Sequence, residues 1–180
     1  MREIRRSALV PAPASRMFAL INDVERYPEF VPGCRAASVL ERGDNMQLAR
    51  LTVGSGALST SFVTRNSLVP DRGVRMDLEE GPFRSLTGQW TLTPLPATQG
   101  AEGCSVELVL RFELQRGLAG LAMGPLIERM AGSLVDAFVA RAQGLGAGVD
   151  AAAGAVATPE ADAAAGTASP AGLGRSDRSM

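Results

Sequence analysis

The chain has 180 residues, 18 basic against 19 acidic side chains, and a formal net charge of -1. That length suits one domain with a tail, and the charge balance gives no footing for non-specific DNA binding, which needs clustered basic side chains to displace counterions from phosphates. Histidine is absent, which removes the commonest general base and metal ligand and excludes Ser-His-Asp and Cys-His arrangements.

The amino-terminal segment Met1-Arg2-Glu3 carries no apolar leader-like run, and no apolar stretch approaches the ~18 residues expected of a spanning helix. Cys34 and Cys104 are the two cysteines. With no sign of secretion they are expected to be reduced thiols in a cytoplasm.

Arg2 to Val10 is strand-like. Pro11 and Pro13 end it, and Pro13 is placed to open a helix through Ala14, Met17, Phe18 and Ile21. Asn22-Asp23 breaks that helix and offers a cap for a second short one over Val24 to Phe30. Arg35 to Glu41 reads as a strand, followed by the turn Arg42-Gly43-Asp44-Asn45. Met46 to Val53 changes phase: Met46 and Leu48 alternate, then Ala49, Leu51 and Val53 take over. Such a slip points to a bulge or to a strand covered on both faces. Leu58 to Leu68 resumes after Gly54-Ser55-Gly56.

The next three strands alternate cleanly. Val74, Met76 and Leu78 oppose Arg75, Asp77 and Glu79. Leu86, Gly88, Trp90 and Leu92 oppose Thr87, Gln89, Thr91 and Thr93. Cys104, Val106, Leu108, Leu110, Phe112 and Leu114 oppose Ser105, Glu107, Arg111 and Glu113, with Val109 as the exception. Period-two patterning of this kind means an antiparallel sheet with one apolar and one solvated face. Glu79-Glu80 alternates in face and reads as solvated, not as a carboxylate pair sharing a proton.

A long helix remains to cover the apolar face. Leu118, Ala122, Leu126, Met130, Leu134, Ala137, Phe138 and Arg141 recur at helical spacing, and Leu121, Met123, Ile127 and Val135 widen the stripe. Pro125 is expected to kink this helix or to lie close to its start. The fold class is therefore α+β, a curved antiparallel β-sheet wrapped around a long C-terminal α-helix. The domain spans 1–143. From Gly144 onward Ala, Gly, Ser, Thr, Pro and Asp dominate, and 144–180 reads as a disordered tail.

Asp23-Val24-Glu25-Arg26-Tyr27-Pro28-Glu29-Phe30-Val31-Pro32-Gly33-Cys34 resembles the D-V-E-x-Y-P-x-F-x-P-x-C signature of the coenzyme Q-binding and RatA-like family of the START-like superfamily. Gly81-Pro82-Phe83-Arg84-Ser85-Leu86-Thr87-Gly88-Gln89-Trp90 resembles its G-P-F-x-x-L-x-x-x-W block. Phe62 to Leu68 and Ala137 to Ala142 fall in the same order, so the resemblance covers about Arg2 to Gln143. It implies a helix-grip fold with an internal apolar pocket. Mitochondrial members of the family bind ubiquinone in support of respiration. Bacterial members are labelled ribosome-association toxins that block subunit joining, although the shared fold suggests quinone or lipid binding; the resemblance implies a protein of the bacterial cytoplasm, at most peripheral at the inner membrane.

The expectation is thus a non-enzymatic carrier of an isoprenoid quinone or lipid, ubiquinone first, with no cofactor required. The residues expected to line its site are Tyr27, Phe30, Val31, Phe62, Met76, Phe83, Trp90, Leu108, Met123, Leu126, Ile127 and Met130. Each has a plainer reading beside it. Tyr27 and Phe30 either guard the pocket mouth, touching a bilayer, or staple the short helix to the core. Phe62 and Phe83 pack against a ligand ring or within the core. The Trp90 indole N–H needs a partner if buried, and a ligand or a backbone carbonyl serves. A pocket of ~300–1,000 Å³ would enclose a quinone head and part of its tail. Two other functions stay open. A toxin bound to the 50S ribosomal subunit is revived if Arg2, Arg5, Arg6, Arg16 and Arg35 form one patch. A polyketide cyclase or aromatase needs ionisable groups converging in the cavity.

Overall fold

A computed structural model describes residues 1–98, 101–115 and 118–153, with side chains described over 1–96, 102–115 and 123–144. Seven strands form one antiparallel sheet: β1 (Arg2–Val10), β2 (Cys34–Arg42), β3 (Met46–Ser55), β4 (Leu58–Val69), β5 (Gly73–Glu80), β6 (Phe83–Thr98) and β7 (Ala101–Leu114). Their order is β1-β7-β6-β5-β4-β3-β2. Strands β2 to β7 thus run as a meander, and β1 closes the far edge against β7, from Arg2 opposite Phe112 to Val10 opposite Cys104. The alternation read in the last strands is real. Val106, Leu108 and Phe112 are fully buried, while their neighbours Glu107, Arg111 and Glu113 pair with Arg5, Glu3 and Arg84 on the opposite face. Glu79 is likewise exposed and pairs with Arg65. Exposed pairs of this kind contribute ~0–1 kcal/mol each; their main effect is to keep that face wet.

The bulge expected at β3 is present on one side of the strand and absent on the other. β3 pairs with β4 without a register shift from Met46 opposite Ser67 to Ser55 opposite Leu58. The shifts lie instead on its other side, in the β2–β3 pairing between Cys34 and Ala36 and between Val39 and Glu41. Gln47, Ala49 and Val53 are buried, and Leu51 is half-buried between them. The inward face therefore begins with a polar residue, which hid the alternation from a reading by hydropathy.

Between β1 and β2 the chain forms α1 (Ala14–Asn22), a 3₁₀ turn (Val24–Arg26) and α2 (Tyr27–Phe30). Pro13 stands at the N-cap of α1, where its missing N–H leaves no intrahelical bond unmade. Asp23 precedes the 3₁₀ turn but makes no side-chain capping bond. Its backbone N–H instead closes α1 by donating to the Ala19 carbonyl at 3.0 Å.

Helix α3 spans Leu118–Ala153 with Pro125 inside it, so the helix begins well before the proline. Its buried line is Met123, Ile127, Ala131, Val135, Phe138 and Ala142, spaced by three and four residues as one helix face requires. Leu126, Met130 and Leu134 flank that line and are half-buried. The side chains of Leu118, Leu121 and Ala122 lie outside the described residues. Composition changes at Gly144, yet α3 runs on to Ala153; the rest of the expected tail, 154–180, lies outside the described residues.

Helix α3 rests chiefly on β1, on β7 and on α1 and α2. It therefore covers one half of the concave face. Two separate apolar clusters result. One gathers α1, α2, Trp90, Leu108, Val135 and Phe138. The other joins Phe83, Leu86, Leu110, Phe112, Met123, Ile127 and Ala131.

Candidate functional site

A cavity of about 110 Å³ lies where these two clusters fail to meet. Its walls combine Val24, Tyr27 and Val31 from the short helices with Phe62, Met76, Phe83 and Trp90 from the sheet. Ile127, Met130 and Phe138 of α3 close it from above. The volume is below the ~300–1,000 Å³ of pockets for drug-sized ligands and corrects the larger pocket expected. It is a ring-sized space.

Each end of the cavity carries an aromatic group. Phe138 stands edge-on to Tyr27 at 5.1 Å, to Phe30 at 5.0 Å and to Trp90 at 5.1 Å between ring centroids. Phe83 stands edge-on to Phe62 at 5.4 Å and to Phe112 at 6.2 Å. Such pairs stabilise by ~0.5–1.5 kcal/mol each beyond area burial. They hold the walls apart as a rigid frame. The Tyr27 hydroxyl donates to the Ile21 carbonyl, so the ring is pinned through its polar tip as well as its face. Burial is the largest cause pushing the Tyr27 phenol well above its ordinary range, with Cys34 and Asp23 adding to it. Burial also raises the thiols of Cys34 and Cys104. Both cysteines are free and buried, and such thiols are poor nucleophiles.

Close approach of the backbone matters at Gly33. Its φ is +80°, and a Cβ there would lie 2.7 Å from Met130 Sδ. The turn after α2 can thus seat the Met130 side chain against the cavity.

Of the residues expected at the site, Tyr27, Val31, Phe62, Met76, Phe83, Trp90, Ile127 and Met130 line this cavity together. Four do not. Phe30 packs on Tyr27 and Phe138 from behind and lines a separate groove of about 200 Å³ with Arg16, Arg26 and Arg141. The Arg141 guanidinium lies 5.4 Å from the Phe30 ring centroid. Leu108 is fully buried in the first cluster, Met123 is buried in the second, and Leu126 packs on the second from its edge. Met123 and Leu126 lie off the ring space because α3 is rotated so that Ala131 and Phe138 face it.

Sequence reading missed Val24, Cys34, Leu51, Val53, Thr64, Asn66, Leu86, Leu110, Ala131, Leu134 and Phe138 among the lining residues. Phe138 and the strand alternation were visible, so those positions were within reach. Thr64 and Asn66 were not: polar residues inside a pattern of apolar ones carry no hydropathy signal. Both are buried, as is Gln47.

The arginines that would revive nucleic-acid or ribosome contact do not form one patch. Arg2 pairs with Glu128, and Arg5 with Glu107. Arg6 donates to the Gly132 carbonyl at 3.2 Å. Arg35 lies on β2 at the other edge of the sheet, donating to the Gly56 carbonyl. Among the described residues no group of three or more His, Cys, Asp or Glu is placed to hold a metal ion, and no helix is long and apolar enough to cross a membrane.

Comparison with known proteins agrees with this architecture. The family model described as polyketide cyclase / dehydrase and lipid transport matches residues 10–139. The chain is 46% identical over 142 residues to a Pseudomonas aeruginosa protein named ribosome association toxin RatA, covering 79% of this chain and 96% of that one. It is 29% identical over 141 residues to the mitochondrial coenzyme Q-binding protein of Saccharomyces cerevisiae, covering 74% of this chain and 67% of that one. In fold it resembles the Zhui aromatase/cyclase of a Streptomyces species, with a TM-score of 0.66 at 22% identity, over 79% of this chain and 93% of that one. A helix-grip sheet of seven strands, an apolar cavity under its helix and these relatives together place the chain in the polyketide cyclase / dehydrase and lipid transport family, beside the proteins named RatA.

Proposed function

We propose that this protein binds an apolar, ring-bearing molecule of quinone or lipid type, with ubiquinone the favoured ligand, and that it does so without catalysis or a cofactor. One observation carries the reading: the two core clusters leave an apolar, aromatic-ended space between them. A filled core would spend that space on side chains, since packing voids weaken a fold. A quinone ring entering it regains the lost contacts. The volume admits the ring and little of an isoprenoid tail. In this reading the tail leaves past the half-buried side chains of Leu51, Phe62, Met130 and Leu134, along the half of the sheet that α3 covers least, and reaches the inner membrane or the protein surface. Each buried methylene contributes ~0.8 kcal/mol, so a partly sheltered tail adds usefully to affinity.

The absence of catalysis is supported by the chemistry of the walls. The ionisable groups lining the cavity are Tyr27 and Cys34, and burial holds each in its neutral form.

The test is to purify the protein from its native host, extract it and identify bound lipids by mass spectrometry, then titrate it with a short-chain ubiquinone. Trp90 is the single tryptophan and lines the cavity, so its fluorescence reports entry directly. Binding quenches it at stoichiometric ligand. Finding no bound quinone or lipid, and no quenching, overturns the proposal.

A second reading, association with the 50S ribosomal subunit, is favoured by the name of the 46% identical relative. Sedimentation of ribosomes with excess protein tests it. Normal subunit joining with no co-sedimentation ends that reading and leaves ligand binding standing.

A further inference from the structure

The cavity wall at Trp90 holds a hydrogen-bond donor that the fold leaves unused. Trp90 is 2% exposed and sits on the inward face of β6 between its cross-strand partners Val74 and Leu108, both buried. Its carbonyl accepts from Gln89 Nε2 at 2.8 Å, but its indole N–H donates to no described residue. Phe138, its ring neighbour at 5.1 Å, offers it only a π face, a second-order partner. The buried side-chain polar atoms that are both unpartnered and closed to a water-sized molecule are Asn22 Oδ1, Asn66 Oδ1 and Ser85 Oγ. Trp90 Nε1 is not one of them, so it is unpartnered and open. The arginine-lined groove behind Phe30 does not touch Trp90, whereas the cavity does. The N–H therefore opens onto the cavity.

The other polar side chains on these walls make no contrary demand. The Tyr27 hydroxyl is spent on the Ile21 carbonyl, and the Cys34 thiol on the Ala36 carbonyl at 3.7 Å. Asn66 Nδ2 donates to Gln47 Oε1 at 3.4 Å, and Gln47 Nε2 in turn to the Asn22 carbonyl at 3.1 Å. With its oxygen closed off, the Asn66 amide has only an N–H left to give. The Thr64 hydroxyl both donates and accepts, so it selects neither sign. An indole N–H only donates. A donor among apolar walls costs stability until an acceptor reaches it. A ligand with an acceptor oxygen removes that cost, and a hydrocarbon does not.

We infer that Trp90 is the specificity-determining residue of this cavity, and that its indole N–H donates to an acceptor oxygen on the buried ring of the ligand, as a cyclic ketone or quinone carbonyl provides. This inference rests on the apolar-ligand reading above and names the group that would tell a ring carbonyl from a plain hydrocarbon.

The test uses cyclohexanone and methylenecyclohexane, which match in shape and differ by C=O against C=CH₂. Affinities come from calorimetric titration. The single tryptophan gives one indole N–H resonance in a proton–nitrogen correlation spectrum, which reports the bond itself. A wholly apolar cavity prefers the alkene, since the carbonyl must shed its water for nothing. The wild-type chain is expected to bind the ketone at least as tightly, with the indole proton moving downfield for the ketone and not for the alkene. Trp90→Phe keeps an aromatic wall, removes the N–H and shifts the ratio of affinities towards the alkene by about tenfold or more. Thr64→Val leaves the ratio near wild type. If Trp90→Phe does not fold, the wild-type pair and the indole resonance decide. A wild-type preference for the alkene, or ketone binding that leaves the resonance unmoved, overturns the inference and leaves apolar binding intact. A ketone preference lost in Thr64→Val and kept in Trp90→Phe overturns it as well. Binding of neither compound overturns both readings.

Discussion

Gly88 on β6 and Met76 on β5 face each other across the sheet, and the side chain that Gly88 lacks is the space Met76 occupies. A Cβ built on Gly88 would lie 2.2 Å from Met76 Cε and 3.1 Å from Leu110 Cδ1. Met76 lines the cavity and packs on both apolar clusters, so the glycine sets where the cavity wall stands. Gly88→Val is expected to push Met76 into the ring space. Overpacking of this kind costs about 1–3 kcal/mol, and quinone quenching of Trp90 falls at least several-fold. A thermal melt with a parallel fluorescence titration checks both; unchanged binding would mean Met76 does not bound the site.

Ala131 offers the opposite experiment. It is 2% exposed and lines the cavity from α3. In a solidly packed core Ala131→Leu would destabilise by about 1–3 kcal/mol. Beside an open space of about 110 Å³ the added methyl groups fill it. The expected result is a melting temperature held or raised together with loss of ligand quenching. A lower melting temperature with ligand binding retained would show that Ala131 does not face the space.

Ile127 and Leu126 are adjacent on α3 but meet different surroundings. Ile127 is 6% exposed in the cavity wall, whereas Leu126 packs half-buried at the edge of the second cluster. Ile127→Lys places a charge in the apolar space and is expected to abolish ligand retention. Leu126→Lys can carry its ammonium out to water on a long stem, so retention survives. Equal loss in two folded variants would contradict this facing of the helix.

Phe138 joins Tyr27, Phe30 and Trp90 at one end of the cavity. Phe138→Ala is expected to destabilise by about 3–5 kcal/mol, the largest effect among these variants. Chemical denaturation with the slope held equal to wild type measures it.

Stability should fall on the alkaline side. The folded chain holds the Cys34 and Cys104 thiols and the Tyr27 phenol above their ordinary values of 9.0 and 10.0. Between the ordinary and the raised value the folded state keeps protons that the unfolded state has released. Stability from these groups is therefore fully present below the ordinary values and is lost as pH rises beyond them. Melting temperatures taken from about pH 7 to about pH 11 should stay level with respect to these groups and then decline above about 9. Tyr27→Phe removes the phenol's share of that decline, which begins above its ordinary value of 10.0. It also leaves the Ile21 carbonyl without its donor, at a cost of about 1–3 kcal/mol at neutral pH.

Sequence alone was enough for the sheet-and-helix architecture. Alternation in β5, β6 and β7 and a widened stripe in α3 are local signals, because side chains repeat every two residues on a strand and every three to four on a helix. The motif around Tyr27-Pro28 and the Gly81-Pro82-Phe83 block carried the family. Eight of the twelve expected lining residues meet in one cavity for the same reason: apolar residues on inward faces converge. What periodicity could not decide is which inward residues touch a void and which touch one another. Phe30, Leu108, Met123 and Leu126 look like lining residues in sequence and are packed elsewhere, because the rotation of α3 and its seat over β1 and β7 depend on contacts far apart in the chain. The polar series Asn22–Gln47–Asn66 was illegible for a deeper reason. A buried amide is recognised by the partners that satisfy it, and these partners come together only when α1, β3 and β4 have met.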